Sequence, residues 1–517
     1  MPTGTKMMTN PSKDAHLNRP TKHIKSFREF IASLKDIGEL LEITATVDWN
    51  LEMGAIGRLC YEKGSPVPLF TSIQGIEKGY RAATALGGVS NQQGLYLARI
   101  ALSLGLPATA KGTEIVEVIA AARERDMIKP VMVKRENAPC KENIVLGNDV
   151  DLLQFPIPLI HDGDGGRYIN TFGIIVAQSP DKKWTNWSIA RIMLTNKNSM
   201  TGIIAPNQHI GMIFEMWKAL GMDMPYALVL GGEPAIPFVG GMPLPAWVDE
   251  VDFLGAYFGE GIELTAAETV DLPVPATAEI VIEGHLSITE NALEGPMGEY
   301  AGYAWGGEGT PKPVYKVTAI THRNDPILPF AVAGEPVEED HTAWGIPNAG
   351  EIVALLRKQN IPVTSAWLTL EAANHWGVIT IPNNWRQQMN NITCDELIQK
   401  IAAILFTSKA GMGTPKFIVI NDDIDPTNTN EVIWGFATRC HPGSGEVVFE
   451  KENTNPLVAF LTSDEKMSFK TTKVIYNCLA PDDWGEHLPR RVNFKRSWPK
   501  EIQEKVLQNW KTYGFSK

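Results

Sequence analysis

Glu294 and Glu299 lie five residues apart in the segment EGPMGEYAGY, separated by Gly295, Pro296, Met297 and Gly298. Glycines and a proline make an irregular turn rather than a helix or strand. Such a turn can aim both carboxylates into one cavity, and paired carboxylates in unlike environments are a common acid–base device. The other reading of the same residues is a solvated loop with incidental acids. In TNWSIAR, a strand over 187–194 would turn Asn186, Ser188 and Ala190 to one face. Trp187, Ile189 and Arg191 would share the other. A guanidinium among large apolar side chains needs a partner, and Glu294 or Glu299 would serve. A lone strand arginine is otherwise a surface residue.

In the segment Pro206–His209, PNQH, Asn207 reads as an N-cap that places His209 in the first turn of a helix. Helix N-termini favour phosphate, and Asn, His and a carboxylate together suit Mn²⁺ or Mg²⁺. The plainer reading is a structural histidine. The glycines of HDGDGGRYI, His161–Ile169, would let backbone approach a cofactor.

The elements that must position these residues fall into three blocks. Residues 1–25 are polar and read as a disordered arm. Order begins at Ser26, an N-cap whose Glu29 completes a capping box. Residues 26–130 read as an α/β unit. From 131 to 330 short β-rich runs with many Gly and Pro predict a barrel or sandwich. One helix interrupts them, with Ile210, Ile213, Phe214, Trp217 and Leu220 on one face and Gly221 at its end. Residues 331–495 return to α/β, with a helix predicted over 349–358. A last helix starts at Pro499 and ends before Gly514, within a C-terminal segment 496–517, able to pack on its own body or on a partner subunit. The class is α/β, as an α+β multidomain chain.

Length and composition agree. The chain has 517 residues, for roughly three domains. Its net charge of −12 argues against nucleic-acid or anionic-membrane binding. No apolar run approaches a membrane span. Five scattered cysteines without CxxC predict neither a disulfide framework nor a thiolate zinc site, and fit a reducing compartment. A cytoplasmic location follows; the basic N-terminus leaves a mitochondrial one open. There is no Walker A loop, HExxH, GxSxG or GxGxxG.

Taken together, CKEN (Cys140–Asn143), PIPLIHDGDGGRYI (Pro156–Ile169), TNWSIAR, PNQH, VPATAEIVIEG (Val274–Gly284), EGPMGEYAGY and ATRCHPG (Ala437–Gly443) resemble, in order, the UbiD family of prenylated-flavin-dependent decarboxylases. The match is closest to the fungal ferulic/cinnamic acid decarboxylases. The resemblance implies an N-terminal α/β domain, a split β-barrel holding prenylated FMN and a C-terminal α/β domain. It also implies a homodimer, with the C-terminal helix on the neighbouring subunit, and a UbiX-type flavin prenyltransferase as cofactor supplier.

It further implies catalytic Arg191, Glu294 and Glu299. Asn186, His209 and Glu250 would bind Mn²⁺ against the flavin phosphate. K⁺ would sit beside Trp187, Val239, Gly240, Met242 and Glu250. Ser188, Ile189, Ala190, Arg191, Gln208, His209, Glu250 and Lys409 would hold the cofactor. The implied reaction is non-oxidative, reversible decarboxylation of an aromatic, heteroaromatic or α,β-unsaturated acid to CO₂. The flavin is the electron sink and Glu299 the proton donor.

The substrate positions depart from the ferulic/cinnamic pattern. They carry Ala205, Tyr300, Asp340, Trp344, Met412, Gly413, Asn455 and Leu457. Ala205 and Gly413 would widen the pocket while Trp344 fills another wall. Asp340 and Asn455 would add hydrogen-bonding capacity, or else point away or bind water. Three rival readings stand beside the decarboxylase: an ordinary FMN-dependent reductase or oxidase on a split barrel, a physiological carboxylase, and a non-catalytic scaffold or cofactor carrier.

Overall fold

The computed structural model describes residues 19–481, 484 and 489–515. Most of the predicted arm, residues 1–18, lies outside them. Its end does not behave as a free arm. Thr21 donates its hydroxyl to Gly105 O at 3.1 Å, Ile24 is buried, and the His23 ring stacks on Phe258 at 3.8 Å. Ser26 does cap the helix Phe27–Asp36 by accepting the Glu29 N–H. The reciprocal half of the box is shifted by one residue, because Glu29 accepts from the Lys25 N–H.

A nine-stranded antiparallel sheet dominates the middle of the chain. Its path runs from Tyr168–Asn170 through Ile192–Asn196, Ser199–Gly202, Thr310–His322, Ile280–Glu294, Met224–Leu230 and Ile174–Gln178 to Thr185–Ser188. Connectivity forces this sheet to curl. Thr185–Ser188 is its last strand, and Ile192–Asn196 is next to its first. The intervening residues 189–191 can span at most about 14 Å. The two ends therefore approach each other, and the sheet becomes a half-barrel whose seam is Ile189–Arg191. Asn170 in the first strand ties the seam by donating to Ala190 O at 2.7 Å.

This corrects the expectation of one strand over 187–194. No glycine or proline interrupts the segment, but the ladder breaks where the chain crosses the seam. Arg191 is thus not a strand residue. The two longest strands, Ile280–Glu294 and Thr310–His322, shift register between Glu283 and Gly284 and again between Leu286 and Asn291. Such bulges bend a ribbon. At Gly284 a Cβ would meet Lys316 O at 1.8 Å, so only glycine fits.

The strand Ile327–Pro329 leaves the barrel. It pairs with Arg81–Ala83 and completes the N-terminal sheet of Leu40–Ile43 and Val67–Phe70. A five-stranded mixed sheet, ordered Ser365–Leu368, Trp376–Ile381, Lys416–Asn421, Lys470–Cys478 and Glu446–Asn453, forms the C-terminal part. The helix before it is Glu339–Lys358, ten residues longer at its start than predicted. Pro347 disguised that half, since proline usually breaks a helix. The added turns reach the cavity described below.

In the interrupting helix, His209–Ala219, Ile210, Ile213 and Phe214 are buried as predicted, but Leu220 is exposed. The last helix is Lys500–Gln508, with no buried residue. Among the described residues no helix is long and apolar enough to cross a membrane.

Candidate active site

A cavity of about 230 Å³ opens between the half-barrel, the start of the helix Glu339–Lys358 and the C-terminal part. Asn186, Trp187 and Ser188 line it from the sheet's last strand and Ile189 from the seam, with Gln208 and His209 at the start of the next helix. Gly240, Met242 and Glu250 form its floor, and Tyr300, Asp340 and Trp344 a side wall. Lys409, Met412, Gly413, Asn455 and Leu457 come from the C-terminal part. Ala190, Arg191, Ala205, Val239, Glu294 and Glu299 are not in the lining. Ala205 turns its carbonyl to the following helix, accepting from the Gln208 N–H at 3.0 Å.

The charged cluster sits at the cavity's edge, because Ile189 and Tyr300 in the lining flank Arg191 and Glu299. Glu294 is the last residue of its strand, and Arg191 occupies the seam. Arg191 Nε and Nη2 donate to the two oxygens of Glu294 at 2.8 and 3.2 Å, and Nη1 donates to Glu299 at 2.5 Å. Glu294 is 1% exposed and Glu299 20%. Burial opposes the Arg191 charge, but the two carboxylates outweigh it and hold its pKa above the ordinary value. Tyr168 adds a hydroxyl to Glu294 at 3.0 Å. Sequence reasoning missed that residue, although it stands in the HDGDGGRYI segment. Gly165 of that segment approaches the Glu294–Glu299 loop, where a Cβ would meet Gly295 O at 2.0 Å, and none of the segment's glycines lines the cavity.

A second cluster lies deeper. Glu250, the first residue of the helix Glu250–Phe258, accepts from Asn186 Nδ2 and from the Trp187 N–H, both at 2.8 Å. Ser188 donates its hydroxyl to Asn186 Oδ1. Burial pushes the Glu250 carboxyl up to about 8. Burial, with Lys409 nearby, pushes His209 down to about 3 and so keeps its ring neutral. Burial also lowers Lys409, against the attraction of Glu250. His209 Nδ1 is buried without a partner.

Among the described residues no three His, Cys, Asp or Glu gather as a metal site. The predicted set has one His and one Glu, with an amide as third donor. A neutral imidazole with an orphaned nitrogen, a buried carboxylate and an amide fit a hard divalent cation. A buried lysine beside them fits a phosphate.

Asn207 is not the N-cap. Gln208 takes that position, with no side-chain bond. Asn207 instead lines the cavity, with Nδ2 3.8 Å from Met412 Sδ and Oδ1 buried without a partner.

One expectation about the substrate wall changes. Gly413 does not widen the pocket, because the Trp344 indole fills its place: a Cβ there would lie 2.5 Å from the ring. Asn455 lines the wall; its Oδ1 accepts the Leu457 N–H at 3.0 Å, while among the described residues its Nδ2 has no hydrogen-bond partner. Asp340 remains available; among the described residues no hydrogen bond reaches its carboxylate. Burial, then Glu338, holds its pKa well above the ordinary value. Thr171, Phe172, Glu339 and Ala343 also line the cavity and carried no sequence signal.

Family models described as the Rift-related, C-terminal and N-terminal domains of 3-octaprenyl-4-hydroxybenzoate carboxy-lyase match residues 131–336, 341–478 and 31–119. The chain belongs to the UbiD family. It is 38% identical to pyrrole-2-carboxylic acid decarboxylase of Pseudomonas aeruginosa, over 95% of this chain and 98% of that one. It is 37% identical to ferulic acid decarboxylase 1 of Saccharomyces cerevisiae, over 95% and 98%. An evolved dimeric form of the UbiD-class enzyme HmfF from Pelotomaculum thermopropionicum, in complex with prFMN, superposes with a TM-score of 0.75 at 27% identity. That match covers 94% of this chain and 100% of that one. The UbiD fold thus accounts for the three blocks and for the half-barrel between them.

Proposed function

We propose that this UbiD-family protein is a prenylated-FMN-dependent carboxy-lyase that releases CO₂ from an aromatic, heteroaromatic or α,β-unsaturated acid, reversibly and without net oxidation. The observation that carries this reading is Arg191 held between Glu294 and Glu299 at the edge of a cavity lined by Asn186, His209, Glu250 and Lys409. Asn186, His209 and Glu250 would hold Mn²⁺ or Mg²⁺. Glu250 with backbone near Trp187, Val239, Gly240 and Met242 would hold K⁺, and Lys409 the flavin phosphate. When bound, the prenylated flavin supplies the electron sink for breaking the carbon–carboxylate bond.

The chain's own groups then divide the work unequally. Glu294 is buried, bidentate on Arg191 and braced by Tyr168, so it stays. Glu299 holds Arg191 by one nitrogen and is partly exposed, so it yields. Substrate carboxylate displaces it from Nη1, and Arg191 clamps the acid. CO₂ leaves, and the pair of electrons left on carbon must gain a proton. Glu299, partly exposed and freed from Arg191, takes up a proton from solvent and delivers it to that carbon, returning to the carboxylate that Arg191 holds again after release.

Asp340 and the buried Tyr300 in the wall favour a substrate with its own polar group over plain cinnamic acid. A homodimer seated through the exposed C-terminal helix, a UbiX-type supplier of the flavin and a cytoplasmic location complete the proposal. The test is CO₂ release from a panel of carboxylic acids, using protein produced with and without a flavin prenyltransferase. Activity should require the prenyltransferase, and Glu299→Gln should retain flavin but lose turnover. Equal activity with plain FMN would sink the reading.

A further inference from the structure

The loop that carries Glu299 is gripped on both sides by histidine–carboxylate pairs that the proposed chemistry does not use. Before Glu299, Asp164 Oδ1 accepts the Gly298 N–H at 3.1 Å. Asp164 is itself fixed by His161, through the backbone N–H at 3.0 Å and ring Nδ1 at 3.1 Å. The ring is anchored at its far side, with Nε2 2.9 Å from Ala333 O. It also lies against Gly298, where a Cβ would come within 2.9 Å of it.

After Glu299, His341 Nε2 lies 2.8 Å from Tyr300 O. A carbonyl only accepts, so Nε2 carries a proton and donates it. His341 Nδ1 is 3.1 Å from the Glu338 N–H and 3.0 Å from Glu338 Oε1, and both side chains are fully buried. Glu299 itself rides on a tight turn: its N–H donates to Tyr303 O at 2.9 Å, and its carbonyl accepts from the Gly302 N–H at 3.0 Å.

These grips matter because of what happens to the carboxylate. Among the described residues its one side-chain hydrogen bond is to Arg191. Once Arg191 turns to substrate, nothing but the backbone aims it. We infer that Asp164 and His341 are positioning residues for Glu299, holding the peptides before and after it so that its carboxylate stays directed when Arg191 lets go. The inference rests on Glu299 being the proton donor proposed above.

The test uses full-length, flavin-loaded enzyme carrying His341→Leu or Asp164→Ala. Misplacing a proton donor by about 1 Å costs up to about 100-fold, so kcat should fall about 10- to 100-fold. KM and flavin content should stay within about twofold, because neither residue lines the cavity. The solvent deuterium isotope effect on kcat should rise, since proton delivery becomes the slow step. His341→Gln and Asp164→Asn, which keep a donor and an acceptor, should recover most of the rate.

Wild-type kcat in both truncations overturns the inference. So does a rate loss that comes with flavin loss, an unchanged isotope effect and no rescue, which marks a structural role. Should His341→Leu fail to fold, the Asp164 pair decides alone. Glu299→Gln run alongside separates the two readings. Full turnover in that variant removes Glu299 as donor. A dead Glu299→Gln beside fully active clamp variants removes only the clamps.

Discussion

Trp344 and Gly413 form one wall of the cavity as a large–small pair, and Gly413→Ala is the smallest change that breaks it. Gly413 has φ −86°, which any residue adopts, so the penalty is steric. The new methyl would lie 2.5 and 2.6 Å from two ring carbons of Trp344. Ordinary carbon contacts are about 3.5–4.0 Å, so the indole must retreat by about 1 Å. Behind it the Tyr300 ring stands edge-on at 6.3 Å and stacks in turn on His375 at 6.0 Å. The open direction is into the cavity. Overpacking of this kind costs about 1–3 kcal/mol, and a ligand must push the ring back against it. KM for an aromatic acid should therefore rise about 5- to 150-fold. The rate of the chemical step should change little, since Arg191, Glu294 and Glu299 lie elsewhere. Steady-state kinetics on Gly413→Ala, Trp344→Leu and the double variant measure the coupling. With Trp344 already shortened, adding the methyl should move KM less than about twofold. A KM within twofold of wild type in Gly413→Ala, or an equal effect in both backgrounds, would refute the packing argument.

Two further predictions concern buried cations. Lys473 donates to Gly411 O at 2.5 Å and Met412 O at 3.0 Å, holding the turn that carries Lys409, and burial lowers its pKa to about 7. From pH 7 upward the unfolded lysine holds a proton that the folded one has shed, so stability rises with pH; Lys473→Met should lose that rise and weaken flavin retention, read by melting at pH 7 and 9. His23 has the opposite sign: burial opposes its charge, but Glu233 at 2.7 Å and Glu260 at 2.8 Å outweigh burial and raise its pKa. Its contribution is complete below the ordinary 6.5 and is lost as pH rises through the folded value, so hydrogen exchange of residues 21–25 should quicken there in wild type and stay flat in His23→Gln.

Much of the architecture was legible because the middles of elements repeat. The helix face of Ile210, Ile213 and Phe214 follows from periodicity alone. The working residues sit elsewhere. His209, Glu250 and Lys409 each open a helix, Glu294 closes a strand, and Arg191 lies between two strands. At such ends the local pattern no longer says where a side chain points; the closure of the fold does. TNWSIARIML contains no glycine or proline, so nothing local shows that the ladder stops after Ser188. The break follows only from strand order, which puts Thr185–Ser188 at one end of the sheet and Ile192–Asn196 beside the other. The Trp344–Gly413 pair escaped for the same reason: residue size is written in the sequence, but which small residue faces which large one is set by packing across 69 positions. A site assembled from element ends gains free N–H groups, turns and seams that can approach a ligand closely. It gives up the periodic signal that would have located it, so motif order, rather than any local pattern, is what pointed to these residues together.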